Sequence, residues 1–205
     1  MLLSPFDWKS LGPNPIVGVD EVGRGCLAGP VYACAATLRF DHTLQGLTDS
    51  KLLSAKRREF FFDAIPFHAR IGIGVASVEE IEQLNILQAT FLAMRRALAK
   101  LNPDPHSIIL VDGHQKIPKI QFEQIAIIKG DLRAEPIAAA SIIATVTRDR
   151  MMEKLDDEYP GYGFKKHKGY GTSDHRQALD LLGPCREHRL SFRGVFEEQQ
   201  TFEMD

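Results

Sequence analysis

Apolar residues along the chain recur in two patterns that predict an alternation of strands and helices. Short unbroken or alternating apolar runs predict strands at residues 16–20, 31–40, 68–78, 107–111 and 122–128. Helical spacing and capping residues predict helices at residues 55–65, 137–158 and 172–182, and a capping box at 77–80 precedes an apolar helical stripe over 87–101. A glycine- and lysine-rich loop is expected at 159–171. Strands interleaved with helices predict an α/β layered domain.

Acidic residues follow three of the predicted strands. The first strand ends at Asp20, with Glu21 directly after it, Asp112 follows the strand at 107–111, and Asp131 follows the strand at 122–128. Strand alternation would direct Asp20 and Glu21 to opposite faces unless the strand ends there. Ligands of open α/β sheets gather at the carboxyl ends of strands, so neighbouring strands would bring four carboxylates together. Such a group needs cations, and hard oxygen ligands favour two Mg²⁺ or Mn²⁺ ions.

A glycine-rich turn with one cation, Gly23-Arg24-Gly25, follows the first acidic pair. The plain structural interpretation is that Asp20 caps a turn and Glu21 is solvated. The glycines favour a second interpretation, because they let the backbone approach a ligand closely and present Arg24 to a phosphate or sugar. A dinucleotide-binding turn is excluded, because the glycine spacing is wrong and the following segment has no helical stripe.

The stretch from Gly18 to Pro30 resembles the first motif of the type 2 ribonucleases H, specifically bacterial ribonuclease HII, which reads D-E-x-G-R-G-x-x-x-G-P. Further matches extend to about Phe192. The resemblance implies an α/β, ribonuclease H-like mixed sheet flanked by helices, with a small C-terminal helical appendage. We expect a catalytic domain at residues 1–160, the substrate-binding appendage at 161–194 and a flexible acidic tail at 195–205.

Individual residues of the family motifs carry over to this chain. By resemblance, the metal-binding and catalytic acids are Asp20, Glu21, Asp112 and Asp131, and the substrate-binding residues are Gly23, Arg24, Gly25, Lys51, Ser141, His167, Lys168 and Tyr170. The glycine turn is expected to read the ribose 2′-hydroxyl, which distinguishes RNA from DNA. Tyr170 is expected to pack at the RNA–DNA junction.

Some positions depart from the family motifs or compete with the predicted acids. Leu52 stands where the family has Lys, which limits the expected phosphate contact to Lys51. Ala138 stands where the family has Ser, so one hydroxyl near Ser141 is missing. Asp149 is an alternative fourth acid, but a surface ion pair on the long helix explains it more simply. His167, in an H-K-G-Y motif, is expected to pack or to face a phosphate, since metal-bound water makes a histidine base unnecessary.

The function implied by the resemblance is that of a metal-dependent endoribonuclease. It would hydrolyse the RNA strand of RNA–DNA hybrids, and nick duplex DNA at embedded ribonucleotides, by two-metal-ion catalysis that leaves 5′-phosphate and 3′-hydroxyl ends. The related ribonucleases HIII carry a long N-terminal domain and usually G-K-G, which this chain lacks. The alternatives are a non-catalytic hybrid-binding module, against which the complete set of four acids argues, and a nucleotide-dependent oxidoreductase, against which the glycine spacing argues.

The charge distribution agrees with a nucleic-acid substrate. The net charge of the 205 residues is −2, but four acids lie in the tail from Val195 to Asp205, and without them the balance is +2. Seven Lys or Arg and three acids lie between Lys165 and Arg193, which indicates either a phosphate-binding patch or a solvated helix face. The tail residues 197–202 faintly resemble peptides that bind sliding clamps, and a frayed acidic tail is the other interpretation.

Cysteine content and hydropathy indicate the cellular compartment in which the protein works. Cys26, Cys34 and Cys185 are too few and too scattered for a disulfide framework or a zinc site, which indicates reduced thiols in or near the core. No apolar run approaches the roughly 20 residues of a membrane span, and the N-terminus does not look like a signal peptide. We therefore expect a cytoplasmic protein, and separately expect it to be a monomer.

Overall fold

The computed structural model describes residues 4–196, and a five-stranded mixed sheet forms its centre. The strands are β1 Ile16–Val22, β2 Val31–Leu38, β3 Ala69–Ala76, β4 Ile108–Asp112 and β5 Glu123–Ile127, arranged in the order β3-β2-β1-β4-β5. β1 pairs antiparallel with β2 and parallel with β4, while β2 pairs antiparallel with β3 and β4 pairs parallel with β5. The expected α/β fold is confirmed.

Helices cover both faces of the sheet. They are α1 Ala55–Ala64, α2 Val78–Leu84, α3 Ile86–Leu101, α4 Glu135–Glu158, α5 Phe164–His167 and α6 Ser173–Leu182. α1 and α4 pack in the hydrophobic core on one face, and α2 and α3 pack in the core on the other. No helix within residues 4–196 is both long and apolar enough to cross a membrane.

β1 is buried on both faces, which explains its unbroken apolar sequence. Ile16 belongs to the core under α4, whereas Val17 and Val19 belong to the core under α3. Gly18 lets α4 lie directly on the strand, because a Cβ at this position would stand 2.1 Å from the carbonyl carbon of Pro136. α4 therefore crosses β1 at backbone contact, immediately before the acidic residues.

Three local features differ from the sequence-based expectation. The segment 159–171 contains a single helical turn, α5, because Gly163 and Lys168 at its two ends adopt left-handed backbone conformations. Asn85 (φ 68°) separates α2 from α3, and its side chain accepts hydrogen bonds from the first turn of α3. No element is predicted before residue 16, but a 3₁₀ helix, Trp8–Leu11, forms there, and the indole of Trp8 is buried.

The C-terminal elements pack around a third, smaller core. Its side chains come from the segment after the glycine turn, from the second half of α4, and from α5, α6 and the residues that follow: Leu27, Ala28, Met152, Leu155, Tyr162, Phe164, Leu179 and Val195. This core therefore joins the glycine turn near β1 to the C-terminal residues. The clamp-like residues 197–202 and most of the acidic tail lie outside the described residues.

Candidate active site

A cavity of about 270 Å³ opens at the end of the sheet where β1 and β4 finish. Asp20 lies two residues before the end of β1, Asp112 is the last residue of β4, and Asp131 lies in the 3₁₀ helix Gly130–Leu132 that follows β5. The lining residues are Asp20, Glu21, Val22, Gly23, Arg24, Gly25, Ser50, Lys51, Asp112, Asp131, Ser141, Thr145 and Tyr170. All four sequence-predicted acids therefore border one space.

Electrostatic strain is concentrated on these acids. Burial raises the pKa of Asp20 well above its ordinary value, and the neighbouring charges of Glu21 and Asp112 raise it further. Burial also raises the pKa of Glu21, against the opposing effect of Arg24. The pKa of Asp131 rises to about 6, because the carboxyl is half-buried and Asp112 lies close. A cation between these groups would relieve both the burial and the repulsion.

Each acid also has a partner within the protein. One oxygen of each carboxylate contacts a backbone N–H or a guanidinium: Asp20 Oδ1 and Glu21 N at 2.7 Å, Asp112 Oδ1 and Gly130 N at 2.6 Å, Asp131 Oδ1 and Leu132 N at 2.9 Å, and Glu21 Oε1 and Arg24 Nη1 at 3.3 Å. In residues 4–196 no three His, Cys, Asp or Glu side chains already form a cluster that could hold a metal ion.

Hydroxyl groups line the side of the cavity formed by α4. Ser141 Oγ lies 3.3 Å from Ser50 Oγ, and Ser50 Oγ lies 3.1 Å from Thr145 Oγ1. A hydrogen bond from Ser141 also lowers the pKa of Asp20, in part opposing the effect of burial. The sequence prediction included Ser141 but missed Ser50 and Thr145. The signal for Thr145 was its position four residues after Ser141, which places both on one helix face.

The two glycines of the turn have different surroundings. Gly23 is buried with φ +96°, and a Cβ there would stand 2.3 Å from Nε of Arg148. Gly25 is exposed, and a Cβ there would meet no atom within 4 Å. Gly23 is therefore required by the fold, whereas Gly25 leaves open space at the cavity. Between them, the half-exposed side chain of Arg24 reaches back to Glu21.

The remaining predicted contacts are divided between the cavity and the interior. Lys51 is exposed at the cavity rim, and Tyr170 borders it with 41% of its surface exposed. His167 and Lys168 do not line the cavity. His167 is buried, with Nε2 2.8 Å from the Tyr162 carbonyl and Nδ1 accepting from Gly169 N–H, and Lys168 Nζ bonds to Glu153 Oε1 at 2.7 Å. These two residues hold the segment that carries Tyr170.

Asp149, the alternative fourth acid, is absent from the cavity lining. Its Oδ2 lies 3.6 Å from Nη1 of Arg58 on α1, and its side chain is about one quarter exposed. This position on α4 matches the ion pair expected from the sequence.

Comparisons with known proteins agree with the fold and the motifs. A family model described as Ribonuclease HII matches residues 17–196. The chain is 52% identical to a ribonuclease HII of Parvibaculum lavamentivorans over 93% of this chain and 71% of the relative, and 53% identical to one of Synechococcus elongatus over 92% and 90%.

Two solved structures are also similar. The ribonuclease HII in a PCNA complex from Archaeoglobus fulgidus superposes with a TM-score of 0.75 at 26% identity, covering 92% of this chain and 98% of that one. The ribonuclease H2 of Pyrococcus horikoshii gives 0.68 at 26% identity, covering 88% and 94%. Fold, motifs and relatives agree, and the chain belongs to the ribonuclease HII family of hydrolytic nucleases, which act on RNA–DNA hybrids.

Proposed function

We propose that this chain is a two-metal endoribonuclease that cuts the RNA strand of hybrids and nicks duplex DNA at a single embedded ribonucleotide. The observation that carries the proposal is the convergence of four carboxylates at one cavity, with the glycine turn and Tyr170 on its border. The products would be a 5′-phosphate and a 3′-hydroxyl.

The four acids Asp20, Glu21, Asp112 and Asp131 would hold two Mg²⁺ or Mn²⁺ ions. Their hard oxygen donors suit these ions, and the raised pKa values of Asp20, Glu21 and Asp131 indicate that burial and mutual repulsion outweigh the nearby positive charges of the protein. When bound, a pair of such ions activates a water and stabilises the leaving oxygen of a phosphodiester. Ser141, through its bond to Asp20, would help to hold that carboxylate in its charged form.

The border of the cavity would select the substrate. Gly25 presents backbone without a side chain, so a ribose can approach it and its 2′-hydroxyl can reach main-chain groups. Arg24 and Lys51 are exposed cations placed for phosphate contacts. The exposed ring of Tyr170 offers a stacking surface for the sugar or base next to the ribonucleotide.

The test is an assay on a labelled DNA duplex that contains one ribonucleotide, run beside a continuous RNA–DNA hybrid. The wild-type protein should nick both substrates in Mg²⁺ or Mn²⁺ and leave a 3′-hydroxyl that a polymerase can extend.

Asp112→Asn is the matched control, because its amide oxygen can still accept from Gly130 N–H while the charge is lost. It should bind the hybrid within a few-fold of wild type and cleave at least about 100-fold more slowly. Binding without cleavage by wild type would indicate a non-catalytic module. Cleavage of the hybrid alone would refute the part of the proposal that concerns embedded ribonucleotides.

A sliding clamp is a second proposed partner. The similar A. fulgidus protein was solved in a complex with PCNA, and residues 197–202 of this chain faintly resemble clamp-binding peptides. Surface plasmon resonance of the whole chain and of a chain ending at Phe196 against an immobilised sliding clamp tests this. Equal binding, or no binding, by the two chains would refute it.

A further inference from the structure

Two arginines are buried completely beneath the candidate substrate-binding loops. Arg148 of α4 and Arg189 of the C-terminal segment each expose 0% of their surface. Within residues 4–196 neither guanidinium forms an ion pair with a carboxylate. Burial lowers the pKa of Arg189 to about 10, so this group remains charged at neutral pH. A buried charge needs hydrogen bonds in place of water, and here backbone carbonyls supply them.

The guanidinium of Arg148 joins two loops that are far apart in the sequence. We call residues 23–30 the glycine loop and residues 168–171 the tyrosine loop. Arg148 Nη2 and Nε donate to Ala28 O and Pro30 O, both at 3.1 Å, at the end of the glycine loop. Nη1 of the same side chain donates to Lys168 O at 2.8 Å, in the tyrosine loop. One planar group therefore fixes the spacing between the loops.

Arg189 holds only the glycine loop. Its Nε and Nη2 donate to Gly29 O at 2.9 and 2.6 Å, and Nη1 donates to Arg24 O at 3.0 Å. Arg24 is the central residue of the turn that borders the cavity. The two arginines therefore have different roles. Arg148 connects both loops, whereas Arg189 bonds only to the glycine loop.

The packing around Arg148 gives it a direct connection to the turn. Gly23 lies against the guanidinium so closely that a Cβ would stand 2.3 Å from Nε. The loops also bond to each other, with Leu27 N–H donating to Gly169 O at 2.8 Å. Displacement of Arg148 would therefore move Gly23 and the segment before Tyr170 together.

We infer that Arg148 and Arg189 are positioning residues for ribonucleotide recognition, and that Arg148 sets the distance between the part of the site that reads the ribose and the part that reads the next nucleotide. The inference rests on the proposed function of the glycine turn and Tyr170. Lysine cannot replace either arginine well, because its compact ammonium lacks the planar fork that reaches several carbonyls at once.

The test compares Arg148→Lys and Arg189→Lys with Arg150→Lys, the matched control. Arg150 lies two residues away on α4 but is half-exposed and pairs with Glu59. Arg148→Lys should lower kcat/KM for the embedded ribonucleotide at least about tenfold more than for the continuous hybrid, because only the former depends on both loops. Arg189→Lys should lower both by a similar factor, chiefly through KM, and Arg150→Lys should change neither.

The ratio of the two kcat/KM values separates positioning from stability, because a loss of folded protein lowers both rates equally. An unchanged ratio in folded Arg148→Lys would overturn the inference. If the wild-type protein fails to nick the embedded ribonucleotide, the proposed function is refuted. The structural coupling of the two loops can then still be measured by native-state hydrogen exchange, which needs no substrate.

If an arginine variant does not fold, native-state hydrogen exchange on the wild-type protein still tests the inference. The amide of Arg189, bonded to Leu27 O, reports on the glycine loop, and the amide of Tyr170, bonded to His167 O, reports on the tyrosine loop. The amide of Leu27, bonded to Gly169 O, reports on the contact between the two loops. We expect all three to exchange through one opening event, with the same dependence on denaturant. Separate opening of the two loops would overturn the inference.

Discussion

Replacing glycine by alanine at the two ends of the glycine turn should affect two different properties of the protein. Gly23→Ala places a methyl group against the buried guanidinium of Arg148, at a residue whose φ is +96°. Gly25→Ala places it in open space at the border of the cavity, at a residue whose φ is not left-handed. We therefore expect Gly23→Ala to reduce stability and Gly25→Ala to reduce activity.

The magnitudes follow from these surroundings. A left-handed backbone costs an alanine roughly 1–2 kcal/mol, and forcing a packed neighbour to move costs about 1–3 kcal/mol. Gly23→Ala should thus lower the free energy of unfolding by about 2–5 kcal/mol. Gly25→Ala should change it by less than about 1 kcal/mol, because the alanine meets no atom and restricts the unfolded chain. A methyl group in the place of the substrate should lower kcat/KM roughly 5- to 150-fold.

Gly46→Ala provides the control for backbone strain alone. Gly46 has φ +81°, is exposed, and its nearest neighbour would lie 3.7 Å from an added Cβ. Urea denaturation followed by circular dichroism gives the three free energies, and nicking assays on the folded variants give kcat/KM. The reasoning is refuted if Gly23→Ala is no less stable than Gly46→Ala, or if Gly25→Ala cleaves at the wild-type rate.

Three further predictions concern the acids, the aromatic border and the buried histidines. Asp131→Ala should lower the cleavage rate by orders of magnitude, and Asp149→Ala, in a partly exposed ion pair, should cost at most about 1 kcal/mol of stability; the reverse ranking would exchange their roles. Tyr170→Ala should slow nicking of the embedded ribonucleotide more than cleavage of a continuous hybrid, and equal losses would contradict a junction role. Burial lowers the pKa of His188 to about 4, so its contribution to stability is complete above about pH 6.5 and is lost as the pH falls toward 4; His188→Asn should remove this component from the measured pH dependence.

The sheet and the candidate acids were accessible from the sequence because their signals are local. An unbroken apolar run that ends in an acid indicates a buried strand whose end can bear a ligand, and this pattern occurs at Asp20 and Asp112. Gly18 and Gly23 lie close to other groups, as glycines in strands and turns often do. The order of the strands was not predictable in this way, because it depends on pairing across more than 90 residues between β1 and β4.

Buried arginines were missed for a physical reason. Arg148 belongs to a basic stretch of a helix, where sequence rules predict a solvated side chain. Its burial depends on carbonyls at Ala28, Pro30 and Lys168, which no periodic pattern within the helix reveals. The turn α5 was missed similarly, because two left-handed residues define it and one of them, Lys168, is not a glycine.

The position of β1 in the sheet has a consequence for synthesis of the protein. β1, β2 and β3 pair with strands that neighbour them in sequence, whereas the partner on the other edge of β1 begins only at Ile108. A nascent chain can therefore form the antiparallel half of the sheet while Asp20 and Glu21 remain without the other acids. The mutual repulsion of four carboxylates arises only when β4 and β5 dock, so we expect ribosome-bound chains to have no nuclease activity until synthesis has passed Asp131.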